Sequence, residues 1–172
     1  DVCSSDLLTQ LVGLMNDTSL CIQGPPGTGK SFICASVILN LLKNGKKVGI
    51  TSNGHHAISN LMKYVAELAK KTGVKFKGMK VGKKGVEDLL SYDCYDVGES
   101  KDFDRKANSY LLVGGTAWLF SRSSAVDHFD YLFIDEAGQV SLANMVAVSR
   151  ACKNIVLIGD QMQLAQPTKG VR

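Results

Sequence analysis

The chain has 172 residues, 45% apolar and 21% charged, with three prolines and no low-complexity tract; this excludes disordered and collagen-like chains and fits one globular domain. Twenty Lys and Arg against sixteen Asp and Glu leave a net charge of +4, which permits an anionic partner without requiring one. No apolar run reaches the roughly 18 residues of a membrane span and no cleavable signal pattern opens the chain, so a cytoplasmic protein without membrane attachment is expected.

The first seven residues, Asp-Val-Cys-Ser-Ser-Asp-Leu, lack an initiator Met and resemble a translated sequencing adapter, so 1–7 is read as a non-native scar and 8–172 as the domain. Residues 19–23 form a short apolar run that ends in a Gly-Pro-Pro-Gly turn. Apolar residues then recur at helical spacing over 31–42 until Gly45. Strand, loop and helix are predicted in that order.

A second strand is predicted at 47–51. It is followed by a helix whose stripe comprises Ala57, Ile58, Leu61, Met62, Val65, Leu68 and Ala69 before Gly73. His55 and His56 read as polar loop or cap residues. Residues 74–81 alternate apolar residues with Lys, and 82–106 is read as an irregular insertion. Lysines crowd the stretch from Lys63 to Lys84, either as a solvated face or as a nucleic-acid contact. Further strands are predicted at 110–113, 131–134 and 154–158, the last two separated by a helix over 142–151. Strands alternating with helices predict an α/β fold with a mostly parallel sheet covered on both faces. Five cysteines, at 3, 21, 34, 94 and 152, show no C-x-x-C pairing and read as free thiols, mostly buried.

Gly24-Pro25-Pro26-Gly27-Thr28-Gly29-Lys30-Ser31 satisfies G-x-x-x-x-G-K-[ST] between a predicted strand and a predicted helix, the context in which that spacing cradles phosphates. Glycines let successive backbone N–H groups turn toward phosphate oxygens, and the helix start adds its positive end. Lys30 is expected to reach the β- and γ-phosphates of ATP, and Ser31 to supply its hydroxyl to Mg²⁺. Further on, Asp135 and Glu136 end an apolar strand, at the edge where a parallel sheet forms its binding crevice. Asp135 is expected to hold Mg²⁺ and Glu136 to polarise the attacking water; the alternative is a pair capping the helix that starts at Leu142.

Asp135-Glu136-Ala137-Gly138-Gln139, followed by Gly159-Asp160-Gln161-Met162-Gln163-Leu164, resembles motifs II and III of the superfamily 1 helicases. The likeness is strongest to the branch containing the nonsense-mediated-decay RNA helicase and the replication nuclease-helicases. The wording from Asp135 to Pro167 resembles bacterial proteins that fuse such a motor to a RecB-like nuclease, although no nuclease motif lies in this chain. The resemblance implies a RecA-like P-loop fold and the first motor domain of an ATP-dependent helicase or translocase on single-stranded DNA or RNA. It also implies a second RecA-like domain lying outside this chain, and a fused nuclease domain as a further partner. By the same resemblance Gln139 and Gln163 sense the γ-phosphate, while Ser52, Asn53 and Thr116 contact the nucleic acid. The family commonly has Pro where Thr51 stands. Strand ends followed by helix caps are the alternative at Ser52, Asn53 and Thr116. Trp118, beside Leu119 and Phe120, is read as core in preference to a base-stacking residue. The rival function is a P-loop ATPase that works as a nucleotide-dependent switch or assembly factor without unwinding.

Overall fold

The computed structural model describes residues 2–25 and 27–160. Their chain order is α1 (Val2–Gly13), β1 (Ser19–Gln23), α2 (Lys30–Lys43), β2 (Val48–Thr51), α3 (His55–Thr72), β3 (Gly78–Val81) and β4 (Tyr95–Gly98). Then follow α4 (Ser100–Lys106), β5 (Leu112–Gly114), α5 (Ala117–Phe120), β6 (Phe129–Ile134), α6 (Leu142–Ser149) and β7 (Cys152–Gly159). The strands form one sheet in the order β1-β7-β6-β2-β5-β3-β4, and every described pairing is parallel.

Pleating divides each inner strand between two cores. On β6, Tyr131 and Phe133 pack with residues of α1, α2 and α3, whereas Leu132 and Ile134 pack with Phe103 of α4, Leu119 and Phe120 of α5 and Val148 of α6. Both faces of the sheet are thus covered, and a strand buried on both sides reads as the continuous apolar run found at 131–134. Helix α3 buries Ile58, Leu61, Met62, Val65 and Ala69 of the predicted stripe, with Ala57 and Leu68 half-buried and Ala66 added, and ends on Gly73 in the left-handed region (φ 71°). Among the described residues no helix is long and apolar enough to cross a membrane.

Residues 82–106 correct the expectation of an irregular insertion. They contain β4, which pairs with β3 as the last strand of the sheet, and α4, which starts after Glu99 with a reciprocal capping box to Asp102. Four residues reading Tyr-Asp-Val-Gly are too few to show a period, and Asp96 is tolerated because an edge strand keeps one side in solvent. Tertiary contacts hold it: the buried Tyr95 hydroxyl donates to the Met62 carbonyl at 2.6 Å and the Tyr110 hydroxyl donates to Asp96 at 2.8 Å. The described cysteines are free, but only Cys34 is buried; Cys94 and Cys152 are half-buried, and Cys21 is exposed on the edge strand β1.

Candidate functional site

All strands point the same way, so the loops leaving their C-terminal ends share one edge of the molecule. The loop between β1 and α2 opens there. Gly27 and Gly29 sit at φ 78° and 76°, a region that a Cβ would strain, and Gly29 is the residue from which α2 starts. No side chain caps that helix, so its first N–H groups are left for a ligand. The Lys30 ammonium folds back to donate to the carbonyl oxygens of Gly24 and, at 2.6 Å, of Pro25. The Thr28 hydroxyl donates to the Pro25 carbonyl at 2.8 Å.

A cleft of about 410 Å³ opens on this edge, lined by Gly27, Gly29, Lys30, Ser31, Asp135 and Glu136, with Phe32, Tyr64, Gly159 and Asp160 completing the wall. The expected phosphate and carboxylate residues therefore meet in one place. Gly24, Pro25 and Thr28 line the other side of the loop, a separate and more apolar cavity beside α1. Pro26 and Gln163 lie outside the described residues. Gln139 ends a 3₁₀ turn, Ala137–Gln139, directly after the carboxylates and does not line the cleft.

Asp135 and Glu136 follow β6. Capping does not explain them, because α6 is capped by Ser141, whose hydroxyl accepts from the Asn144 N–H at 3.2 Å. Glu136 is held at φ 52°, a left-handed conformation uncommon for a side-chain-bearing residue, and its N–H donates to Asp135 Oδ1 at 2.9 Å. Burial pushes the Asp135 carboxyl above its usual range and the neighbouring Glu136 charge adds to the rise, while the Glu136 N–H and Lys30 oppose it. The ionised Asp135 therefore costs stability at neutral pH, a cost that declines as pH falls through its raised pKa and is absent only below the ordinary carboxyl range. Asp135→Asn keeps the oxygen that accepts from Glu136 and is expected to raise the thermal midpoint of the ligand-free chain at neutral pH. The gain should shrink in acid; an unchanged or lowered midpoint at neutral pH contradicts this account of Asp135.

The residues expected to contact nucleic acid lie on the same edge but differ in exposure. Ser52, just after β2, is buried, and its hydroxyl donates to Glu136 Oε2 at 3.4 Å. Asn53 is exposed. Neither caps α3, whose N-cap is Gly54. Thr116 stands at the N-cap of α5, yet its hydroxyl makes no cap hydrogen bond. Thr51, at the departure from the usual Pro, has a buried hydroxyl without a partner among the described residues.

Three features were not anticipated. Trp118 is 84% exposed, a correction to its reading as core: Leu119 and Phe120 fill the core side of the short helix α5 and leave Trp118 on the other. His55 is not a loose polar residue, because Lys80 of β3, fully buried, places its ammonium 3.0 Å from His55 Nδ1. Phe32 and Tyr64, both partly exposed, meet edge to face at 6.4 Å beside the cleft. Their signal in the sequence is that each is an aromatic off the buried stripe of its helix.

The family described as an AAA domain matches residues 8–171. The chain is similar to the DNA replication ATP-dependent helicase/nuclease DNA2 of Saccharomyces cerevisiae, 30% identical over 151 residues that make up 83% of this chain and 10% of that protein. It is also 30% identical to the DNA replication ATP-dependent helicase/nuclease dna2 of Schizosaccharomyces pombe over 164 residues, 88% of this chain and 11% of the relative. The chain thus spans about a tenth of the length of these relatives. In fold it is similar to the UvsW helicase from bacteriophage T4, with a TM-score of 0.60 at 18% identity over 90% of this chain and 51% of that one. It is also similar to the SWI2/SNF2 ATPase core of Sulfolobus solfataricus, solved in complex with dsDNA, with a TM-score of 0.57 at 15% identity over 92% of this chain and 30% of that chain.

Proposed function

Because this chain belongs to the AAA domain family and forms a RecA-like domain of the superfamily 1 helicase type, we propose that it is the ATP-binding first motor domain of a helicase or translocase working on single-stranded nucleic acid. The observation that carries this reading is the placement, on one sheet edge, of the phosphate loop, Asp135 and Glu136, and the donors Ser52, Asn53 and Thr116.

Backbone N–H groups of the loop and of the start of α2 bind the phosphates, and Lys30 exchanges its two loop carbonyls for phosphate oxygens. Ser31 and Asp135 are hard oxygen donors on one cleft, and the burial cost of the Asp135 charge is the kind that a cation offsets. They would hold Mg²⁺, which supplies neutralisation of phosphate charge. Glu136 Oε accepts a proton from the water that attacks the γ-phosphorus as the bond to the bridging oxygen of ADP breaks. Gln139 and Gln163 are proposed to sense the γ-phosphate, since an amide donates to phosphate and accepts from water. Ser52 is proposed to link the two halves of the edge, its loop meeting the nucleic acid while its hydroxyl donates to Glu136.

In the complete protein a second RecA-like domain is proposed to close over the cleft and supply arginines for the developing charge, worth about 10³ to 10⁵ in rate. A fused nuclease and a cytoplasmic setting belong to the same proposal. Similarity to proteins named helicase/nuclease supports the nuclease.

Binding of a fluorescent single-stranded oligonucleotide to this chain tests the strand-binding half. Contacts by hydroxyls, amides and lysines to a few phosphates predict an affinity that falls roughly ten-fold or more between about 50 and 200 mM salt and depends little on sequence. Affinity indifferent to salt, or a strong preference for one duplex site, contradicts it.

A further inference from the structure

The sheet edge bears a second cleft, of about 480 Å³, whose lining includes His55, Gly82, Lys101, Thr116, Trp118 and Arg122. It stands on the β5-β3-β4 half of the sheet, whereas the carboxylates follow β6 and the phosphate loop follows β1, on the other half. Its chemistry is mixed in a specific way. One wall is the exposed Trp118 indole, and the floor includes Leu119. The rim carries Lys101 and Arg122, with Lys83 beyond. Glu99, also on the rim, lies between Lys83 at 3.9 Å and Lys101 at 3.7 Å, and Asp104 is held by Arg122 at 2.5 Å. The three cations thus pair with Glu99 and Asp104, and a third acid, Asp102, accepts from the Glu99 N–H at 2.8 Å, so these cations are paired in the free chain and must exchange partners to meet a ligand.

Neutral donors complete the cleft. The Thr116 hydroxyl caps nothing. The buried Lys80 ammonium spends its three donors on His55 Nδ1, the Val81 carbonyl at 3.1 Å and the Gly82 carbonyl at 3.4 Å. Accepting at Nδ1 leaves the His55 ring neutral with its proton on Nε2, a donor fixed from behind. Burial pushes the Lys80 ammonium down to about 8, and burial together with Lys80 lowers His55, so this arrangement holds at neutral pH.

A large exposed aromatic beside cations and unspent hydroxyl and imidazole donors has the two surfaces that a nucleotide presents: a flat base and a charged backbone. We propose that this cleft is a nucleobase subsite in which Trp118 stacks on one base of the single strand while Thr116 and His55 donate to its backbone. This deepens the functional reading above and rests on it. It commits to stacking, which tolerates any base, rather than to base-edge recognition.

Trp118 is the only tryptophan in the chain, so its fluorescence reports the site without labelling. Titration with a single-stranded oligonucleotide is expected to quench that fluorescence in step with the anisotropy rise of a labelled copy. Trp118→Ala should weaken binding about 5- to 150-fold, Trp118→Phe should restore most of the loss, and Trp118→Leu should not. An abasic oligonucleotide should bind the wild type as poorly as the intact one binds Trp118→Ala, with no further loss when both changes are combined. Far-ultraviolet circular dichroism of each variant verifies the fold. If the oligonucleotide binds while Trp118 stays unquenched and Trp118→Ala binds equally well, the subsite is wrong and the strand-binding reading stands. Should Trp118→Ala instead abolish self-association seen in sedimentation, with oligonucleotide affinity unchanged, the residue is a protein contact and the proposal is overturned. Absence of any oligonucleotide binding at low salt overturns both readings together.

Discussion

Glu136→Gln in the complete protein is expected to lower ATP hydrolysis by about two to four orders of magnitude while leaving nucleotide affinity nearly unchanged. Gln has the same shape and can keep the hydrogen bond with Ser52, so the left-handed turn at φ 52° and the walls of the cleft are preserved. What is lost is the group proposed to take a proton from water. Asp135, which already spends one oxygen on the Glu136 N–H, is proposed instead to hold a cation. The two neighbouring acids are thus proposed to do different work, and the substitution separates it. Turnover from initial rates and affinity from calorimetry give the two readings. Affinity falling together with turnover would mean that Glu136 binds the nucleotide rather than acting on water.

Lys30→Ala is expected to weaken ATP binding by roughly 10- to 100-fold, the effect of losing a charge-assisted hydrogen bond from a partly enclosed site. In the ligand-free chain the ammonium donates to the Gly24 and Pro25 carbonyls, which accept from water instead on truncation because the loop is largely exposed. The folded chain should therefore keep its thermal midpoint while losing affinity. Calorimetric titration with ATP and Mg²⁺ provides the comparison, and equal affinities for both proteins would remove Lys30 from the phosphate site.

The parts of this site legible in the sequence are those built by contiguous residues. The run from Gly24 to Ser31 fixes its own geometry, since the glycines at 27 and 29 permit the left-handed turns that the loop adopts, and the strand before it and helix after it have clear periods. Asp135 and Glu136 were legible for the same reason, as acids ending a strand apolar on both faces. Strand β4 was not, because four residues at a sheet edge carry almost no pattern and depend on Tyr95 and Asp96 finding Met62 and Tyr110 far along the chain. Trp118 was misread because Leu119 and Phe120 are both core, and on a four-residue helix the period cannot say which neighbour points outward. The pairing of Lys80 with His55 crosses from β3 to the start of α3, a contact that only the sheet order creates. Phe32 and Tyr64 lie on different helices and meet because α2 packs on α3.

This domain is proposed to join nucleotide chemistry to the holding of a single strand on one sheet edge, with Ser52 bridging to Glu136. The most direct test is the ATP hydrolysis rate of the complete protein as single-stranded oligonucleotide is added. A saturable rise in rate, absent in Lys30→Ala, is the predicted result. A rate that ignores the strand at concentrations where the strand is bound would contradict the motor and point to a nucleotide-dependent switch.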